Sequence, residues 1–288
     1  MDVPFLLIQA LNGVQYGLLL FLVATGLTLI FGIMGIINLA HGSFYMVGAY
    51  MAFTLSSLTG SFAAAIVLGT ALAVALGIAL EWALFSRMYR RDHLEQVLLT
   101  YGLILVFEEV RSLMVGNDVH GVDVPDLLSG SIRLTQTLSY PVYRLFMSGV
   151  CLVVGALLWV LIQRTRVGMM IRAGASNRDM VQSLGVNINL VYRIVFAIGV
   201  GMAAFAGMIT APVSSVYPGM GTQVLIICFV VVVIGGIGNV RGALLASLLI
   251  GTVDTFGKVL FPQAAGLSVY VLMAAILLWR PEGLFRTA

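Results

Sequence analysis

Apolar residues in this chain run on continuously, in windows near residues 5–31, 33–58, 62–86, 94–115, 141–163, 192–211, 223–240, 242–260 and 266–280, each closed by charge or by Gly and Pro. A hydrocarbon layer about 30 Å thick takes about 20 apolar residues to cross as a helix. Backbone groups inside it must be bonded internally, so only helices and closed barrels can span it. A barrel strand alternates lipid-facing and lumen-facing residues, and these windows do not alternate. With 60% hydrophobic and 9% charged residues, against about 25% charged in soluble domains, lipid is the solvent for most of the chain. The expected fold is therefore an all-α polytopic integral membrane protein of about eight or nine transmembrane helices. Met1-Asp2-Val3-Pro4 lack a positive n-region, so the first span is expected to be kept rather than cleaved.

Arginine bias orients the spans. The loop Arg87, Met88, Tyr89, Arg90, Arg91, Asp92, His93 is basic. So is the interval 164–193, with Arg164, Arg166, Arg172, Arg178 and Arg193 against Asp179 alone. Two spans separate them, and the loop 116–140 between those spans carries Asp118, Asp123 and Asp126 against Arg133. The basic loops are placed inside and the acidic one outside. Continuing the count puts Arg241, Arg280 and Arg286 inside, and Lys258 and the N-terminus outside. Trp82, Trp159 and Trp279 then fall at the inner ends of their spans, where amphipathic rings favour the interface.

Glycine is dense, with 32 residues, and Gly13/Gly17, Gly238/Gly242 and Gly199/Ala203/Gly207 stand at the spacing of close helix packing. Two segments share a pattern, Gly35-Ile36-Ile37-Asn38-Leu39-Ala40-His41-Gly42 and Gly236-Ile237-Gly238-Asn239-Val240-Arg241-Gly242. Both are expected to break helices, as related halves of an internal duplication in which irregular backbone lines a cavity or is buried in protein. Asn38, His41 and Asn239 are accordingly candidate lining groups of a path. An ionisable group in a broken membrane helix is a functional hypothesis by default, although His41 can equally serve to bond a freed carbonyl.

Other polar groups have local explanations. Glu81 is expected near a span end within reach of Arg87, Glu108 and Glu109 near Arg111, and Asp254 paired with Lys258 four residues on. Cys151 and Cys228 read as buried free thiols. His41, His93 and His120 lie apart without metal spacing, so no metal is expected, and no Ser-His-Asp or paired-carboxylate set suggests catalysis. Gly251 to Val259 has one residue too many before Gly257-Lys258 for a phosphate loop and no following hydroxyl. The formal charge of +3 reports arginines flanking spans, not a nucleic-acid partner.

Three stretches together resemble the permease subunits of bacterial branched-chain amino acid ABC importers, the LivH type. These are Tyr16-Gly17-Leu18 with Gly26 through Gly42 and Met46 through Tyr50; Thr165-Arg166-Val167-Gly168 with Arg172-Ala173-Gly174-Ala175, Asn177 and Leu184-Gly185-Val186-Asn187; and Val233 through Ala243. The resemblance implies one permease domain over residues 1–288 in the bacterial inner membrane, some helices discontinuous, with a cytoplasmic coupling segment at 164–191 and an extracytoplasmic loop at 116–140. It implies a second permease subunit, two ATP-binding cassette ATPases that hold ATP and magnesium, and an extracytoplasmic substrate-binding protein, with no cofactor in this chain. The coupling residues it points to are Gly168, Arg172, Ala173, Ala175, Asn177, Arg178, Leu184 and Gly185. We expect residues 168–186 to form one helix, its apolar face made by Met169, Met170, Ile171, Ala173, Met180, Val181 and Leu184, with Arg172 and Arg178 fixing register. Where the family often has Gly-Arg-Ala, this chain reads Gly168-Met169-Met170, which removes one positive charge from that surface. The family relation also covers urea and short amide importers. An ion-coupled secondary transporter is the rival class, for which only Asp254 offers a committed midplane carboxylate.

Overall fold

A computed structural model describes residues 3–89, 91–135, 138–264, 266–280 and 283–284. Arg90 and Arg286, assigned to inner loops above, lie outside the described residues. The helices are α1 (Val3–Met34), α2 (His41–Thr59), α3 (Phe62–Leu80), α4 (Ser86–Met88), α5 (His93–Val115), α6 (Val142–Arg164), α7 (Arg166–Ser176), α8 (Arg178–Ser183), α9 (Ile188–Ser214), α10 (Met220–Gly235), α11 (Val240–Leu260) and α12 (Leu267–Trp279). A π-helical turn, Glu81–Phe85, joins α3 to α4. Each apolar window coincides with a helix. By length and composition five are able to cross a membrane: Pro4–Met34, Phe62–Met88, Val142–Arg164, Ile188–Ser214 and Val240–Leu260. The apolar helices α10 and α12 are shorter, at 16 and 13 residues; at about 1.5 Å per residue they reach about 24 and 20 Å.

The chain divides into two compact units. One comprises Gly26–Val122 and Ala156–Ile226, and its core is α2, α3 and α9 packed on one another. Gly48 of α2 lies against the backbone of Ala204, and Gly207 of α9 against the carbonyl of Tyr45, so a Cβ at either would strike main chain. Helices associate in lipid largely through such close approach of small residues, and Gly199 meets Gly26 in the same way. Around these crossings Phe44, Phe85 and Phe196 are fully buried, with the Phe196 ring 4.5 Å from Phe85 and 6.1 Å from Phe44. Arg111 closes the end of α5, reaching Glu108 at 3.2 Å, the Gly116 carbonyl at 2.5 Å and Asn117 at 3.0 Å. His120 and Val216 exchange two backbone hydrogen bonds of 2.8 Å, and the His120 ring stacks on Phe53 at 4.3 Å.

The other unit comprises Met1–Thr25, Asp123–Gly155 and Ile227–Ala288. Here α1 meets α11 through Gly13 and Gly17, where an added Cβ would lie 2.9 Å from the Thr252 Cα and 2.8 Å from the Leu248 Cα. Gly242 packs on Gly235, and Gly238 stands in the turn before α11 with φ +77°. Asn12, a polar group in an apolar helix, accepts from Arg144 at 2.8 Å and Tyr140 at 3.1 Å. Lys258 and Asp254 pair at 2.5 Å, as their spacing led us to expect. Residues 251–258 are helical throughout, so no phosphate loop forms there. The thiols of Cys151 and Cys228 are both buried and unpaired. Unanticipated in the 116–140 loop is an antiparallel hairpin, β1 (Ser131–Thr135) with β2 (Leu138–Pro141), pairing Ile132 with Tyr140 and Arg133 with Ser139.

Candidate functional site

Three N-caps in close succession shape the connection between α6 and α9. Thr165 Oγ1 accepts from the Gly168 N–H at 3.0 Å, Asn177 Oδ1 from Met180 at 2.9 Å, and Asn187 Oδ1 from Leu190 at 3.2 Å. Each satisfies a backbone donor that the first turn of a helix leaves unpaired. The expected single helix over 168–186 is therefore two, α7 and α8, broken at Asn177, which is in extended conformation (φ −155°, ψ 96°). Thr- and Asn-capped starts at this spacing were a readable signal; the helix-compatible run concealed them. Gly185 ends α8 with φ +84°, and the turn lets Val186 N–H reach the Val181 carbonyl at 3.3 Å.

The residues singled out here do two kinds of work. Ile171, Gly168, Gly174 and Val181 are buried and anchor the segment. Gly168 lies directly on the Leu161 and Ile162 carbonyls at the end of α6, where no side chain fits. Arg172, expected with Arg178 to fix register on the surface, is exposed and also donates to the Ile162 carbonyl, where a cation suits the negative end of a helix. Ile171 and Val181, placed above on the contact face, point inward instead. Exposed among the residues named above are Met169 at 62%, Met180 at 62% and Leu184 at 75%, together with Arg172, Ala173, Ala175, Asn177, Arg178 and Gly185. Arg178 has only the exposed Asp179 at 3.9 Å. Three large apolar side chains on an otherwise polar, solvated segment form a surface suited to a partner.

Behind this surface lies a polar cluster that the sequence did not reveal. Glu81, in the π turn, has no solvent exposure and receives Arg193 Nε of α9 at 2.9 Å. Tyr89 donates its hydroxyl to the other carboxylate oxygen, and its ring meets Tyr192 edge-on at 4.9 Å. Burial first, and then Glu81 accepting its proton, push the Tyr89 phenol far above the usual tyrosine range. Arg87, the partner expected for Glu81, turns to the Ala83 carbonyl instead. A cavity of about 560 Å³ is lined by Arg87 and Tyr89 on one side and by Arg178, Gln182, Asn189 and Tyr192 on the other.

The candidate path residues divide between the two units. Asn38 and His41 lie together at the start of α2 and are fully buried, with Asn38 Oδ1 accepting from Ala40 N–H at 3.1 Å. Asn239 is in the other unit, half-buried, and caps α11 by accepting from Gly242 N–H at 3.0 Å. The two Gly-Asn segments share a left-handed glycine, Gly35 and Gly236. They differ in register: Ala40, two residues past Asn38, is the N-cap of α2, whereas Asn239 is itself the N-cap of α11. Among the described residues no group of three or more His, Cys, Asp or Glu converges to hold a metal.

The family model described as "Branched-chain amino acid transport system / permease component" matches residues 9–279. The chain belongs to this family. It is similar to the high-affinity branched-chain amino acid transport system permease protein BraD of Pseudomonas aeruginosa, 31% identical over 96% of this chain and 94% of the relative. It is similar also to LivH of Escherichia coli, 28% identical over 97% and 95%. Among solved structures, PsaBC from Streptococcus pneumoniae in complex with Fab shares the fold, with a TM-score of 0.50 and 14% identity over 93% of this chain and 88% of that one. The chain is a multi-pass permease component of the inner membrane.

Proposed function

We propose that this chain is the membrane subunit of an ATP-driven importer of branched-chain amino acids, and that α7–α8 is the surface its motor grips. Residues 1–288 act as one permease domain, with the 164–191 segment in the cytoplasm and the 116–140 loop outside. A second permease subunit completes the passage, two ATP-binding cassette subunits bind and hydrolyse ATP with magnesium, and an extracytoplasmic binding protein supplies substrate. The observation that carries the reading is the exposure of Met169, Met180 and Leu184 on a short segment anchored from beneath by Ile171 and Val181. Named relatives supply the substrate class, and the basic bias of the segment supplies its side of the membrane.

In this reading Gly168, Arg172, Asn177 and Gly185 hold the shape of the segment, while Ala173, Ala175, Arg178 and Leu184 meet the ATPase. Asn38, His41 and Asn239 belong to the path in a conformation other than this one, since Asn38 and His41 are sealed here. The test is Leu184→Asp, with co-purification of the ATPase subunits and leucine uptake measured in the complete complex. Burying a charge opposite an apolar groove should lower ATPase recovery at least ~10-fold while this subunit still reaches the membrane in normal amount. Normal recovery and normal uptake would retire the assignment.

A further inference from the structure

Helix α9 begins where the coupling segment ends. Its first residue, Ile188, lies under Gly174 of α7, with the Ile188 Cδ1 3.1 Å from where a Cβ of that glycine would be. Five residues later, at Arg193, the same helix is tied to Glu81. Three residues beyond that, on the same face of the helix, Phe196 meets Phe85, 4.5 Å between centroids. Glu81 and Phe85 are the two ends of the π turn. That turn therefore presents a carboxylate and a ring to α9 together. A single π turn inserted in an α-helix often marks a functional position.

A fully buried carboxylate is costly unless its oxygens are satisfied. Glu81 spends one on Arg193 of α9 and the other on Tyr89 beyond α4, so three separate pieces of backbone converge on one side chain. Beside Tyr89, though not around Glu81 itself, the packing is open. The cavity of about 560 Å³ separates Ser86, Arg87 and Tyr89 from Arg178, Asp179 and Gln182 of α8. The connection from the segment to the bundle runs through α9, whose first residue packs against α7.

We propose that the Glu81–Arg193–Tyr89 tie is the joint that carries displacement of α7–α8 into α3 and α9. These are positioning residues: they meet no substrate, and they keep α3 in register with α9 while the segment moves. The inference rests on the function proposed above and names the next link in the same device. Without the tie, ATP hydrolysis continues on an assembled complex but moves the helices incompletely, so turnover and uptake part company.

The experiment uses the complete complex in proteoliposomes with leucine as probe. It measures ATP hydrolysed per leucine taken up for Glu81→Gln, Arg193→Lys and Tyr89→Phe. Recovery of the ATPase subunits with each variant is recorded first; loss of recovery with Leu184→Asp but not with these three keeps the docking reading separate from the joint. For Glu81→Gln uptake should fall ~10-fold while ATP turnover stays within ~2-fold, and Tyr89→Phe should give a smaller change, ~3-fold, in the same direction. Uptake and turnover falling in step, or neither changing, would overturn the proposal. If Glu81→Gln does not accumulate in the membrane, the ratio for Tyr89→Phe and Arg193→Lys decides alone, since each leaves the buried carboxylate in place.

Discussion

Two carboxylate–guanidinium pairs of the same compact unit have opposite characters. Glu81 and Arg193 meet at 2.9 Å with the acid wholly buried, whereas Arg178 and Asp179 stand 3.9 Å apart with both side chains largely in solvent. The first pair is committed to the bundle. The second is loosely held, and exposed pairs of this kind contribute little to stability. The difference separates a charge pair held inside the fold from one left in solvent. The apolar residues divide in the same way, with Ile171 and Val181 turned in and Met180 and Leu184 turned out within one short segment.

Mutations can break this contrast in descending order of effect. Glu81→Ala leaves a guanidinium with no counter-charge, and because Arg193 keeps some access to solvent the loss should be near the lower end of the range for buried pairs, about 3 kcal/mol. A lowered unfolding midpoint of the detergent-purified subunit would register it; no shift would mean the pair is dispensable. Gly168→Ala drives a methyl into the Leu161 and Ile162 carbonyls, and overpacking of this sort should cost about 2 kcal/mol. The same unfolding measurement checks it, with ATPase recovery falling alongside because α7 must shift. Asp179→Asn removes the partner of Arg178 and should change stability by less than about 0.5 kcal/mol. A shift as large as that of Glu81→Ala would erase the distinction between the pairs.

How much could be read from residues alone depended on the distance over which the information is encoded. Helices were legible because lipid selects on local composition, and each apolar window has its helix, although among the described residues five are long and apolar enough to cross a membrane. The helix breaks around Asn38 and Asn239 were legible because glycine and asparagine act within a few residues. The Asp254–Lys258 pair followed from a four-residue spacing. Glu81 was misassigned to Arg87 for the complementary reason: its true partner is 112 residues away, brought near only when α3 packs on α9. The tight seat of Gly168 and the carbonyl that Arg172 reaches were not legible because a linear reading cannot see the end of α6 lying against them. The break at Asn177 was missed since one periodic run can be satisfied by two short helices that each bury a residue, Ile171 and Val181. The 116–140 loop was read only for its charge, and the hairpin within it escaped notice.

Accessibility of the α7–α8 surface tests the central claim most directly. With both native thiols buried, Met180→Cys places one reactive sulfur on the exposed face. A membrane-impermeant maleimide should leave it unlabelled in intact cells, label it in inside-out vesicles stripped of ATPase, and label it more slowly once the ATPase is bound. Labelling from outside intact cells would place the segment on the wrong side of the membrane for any intracellular motor, and the account would fail.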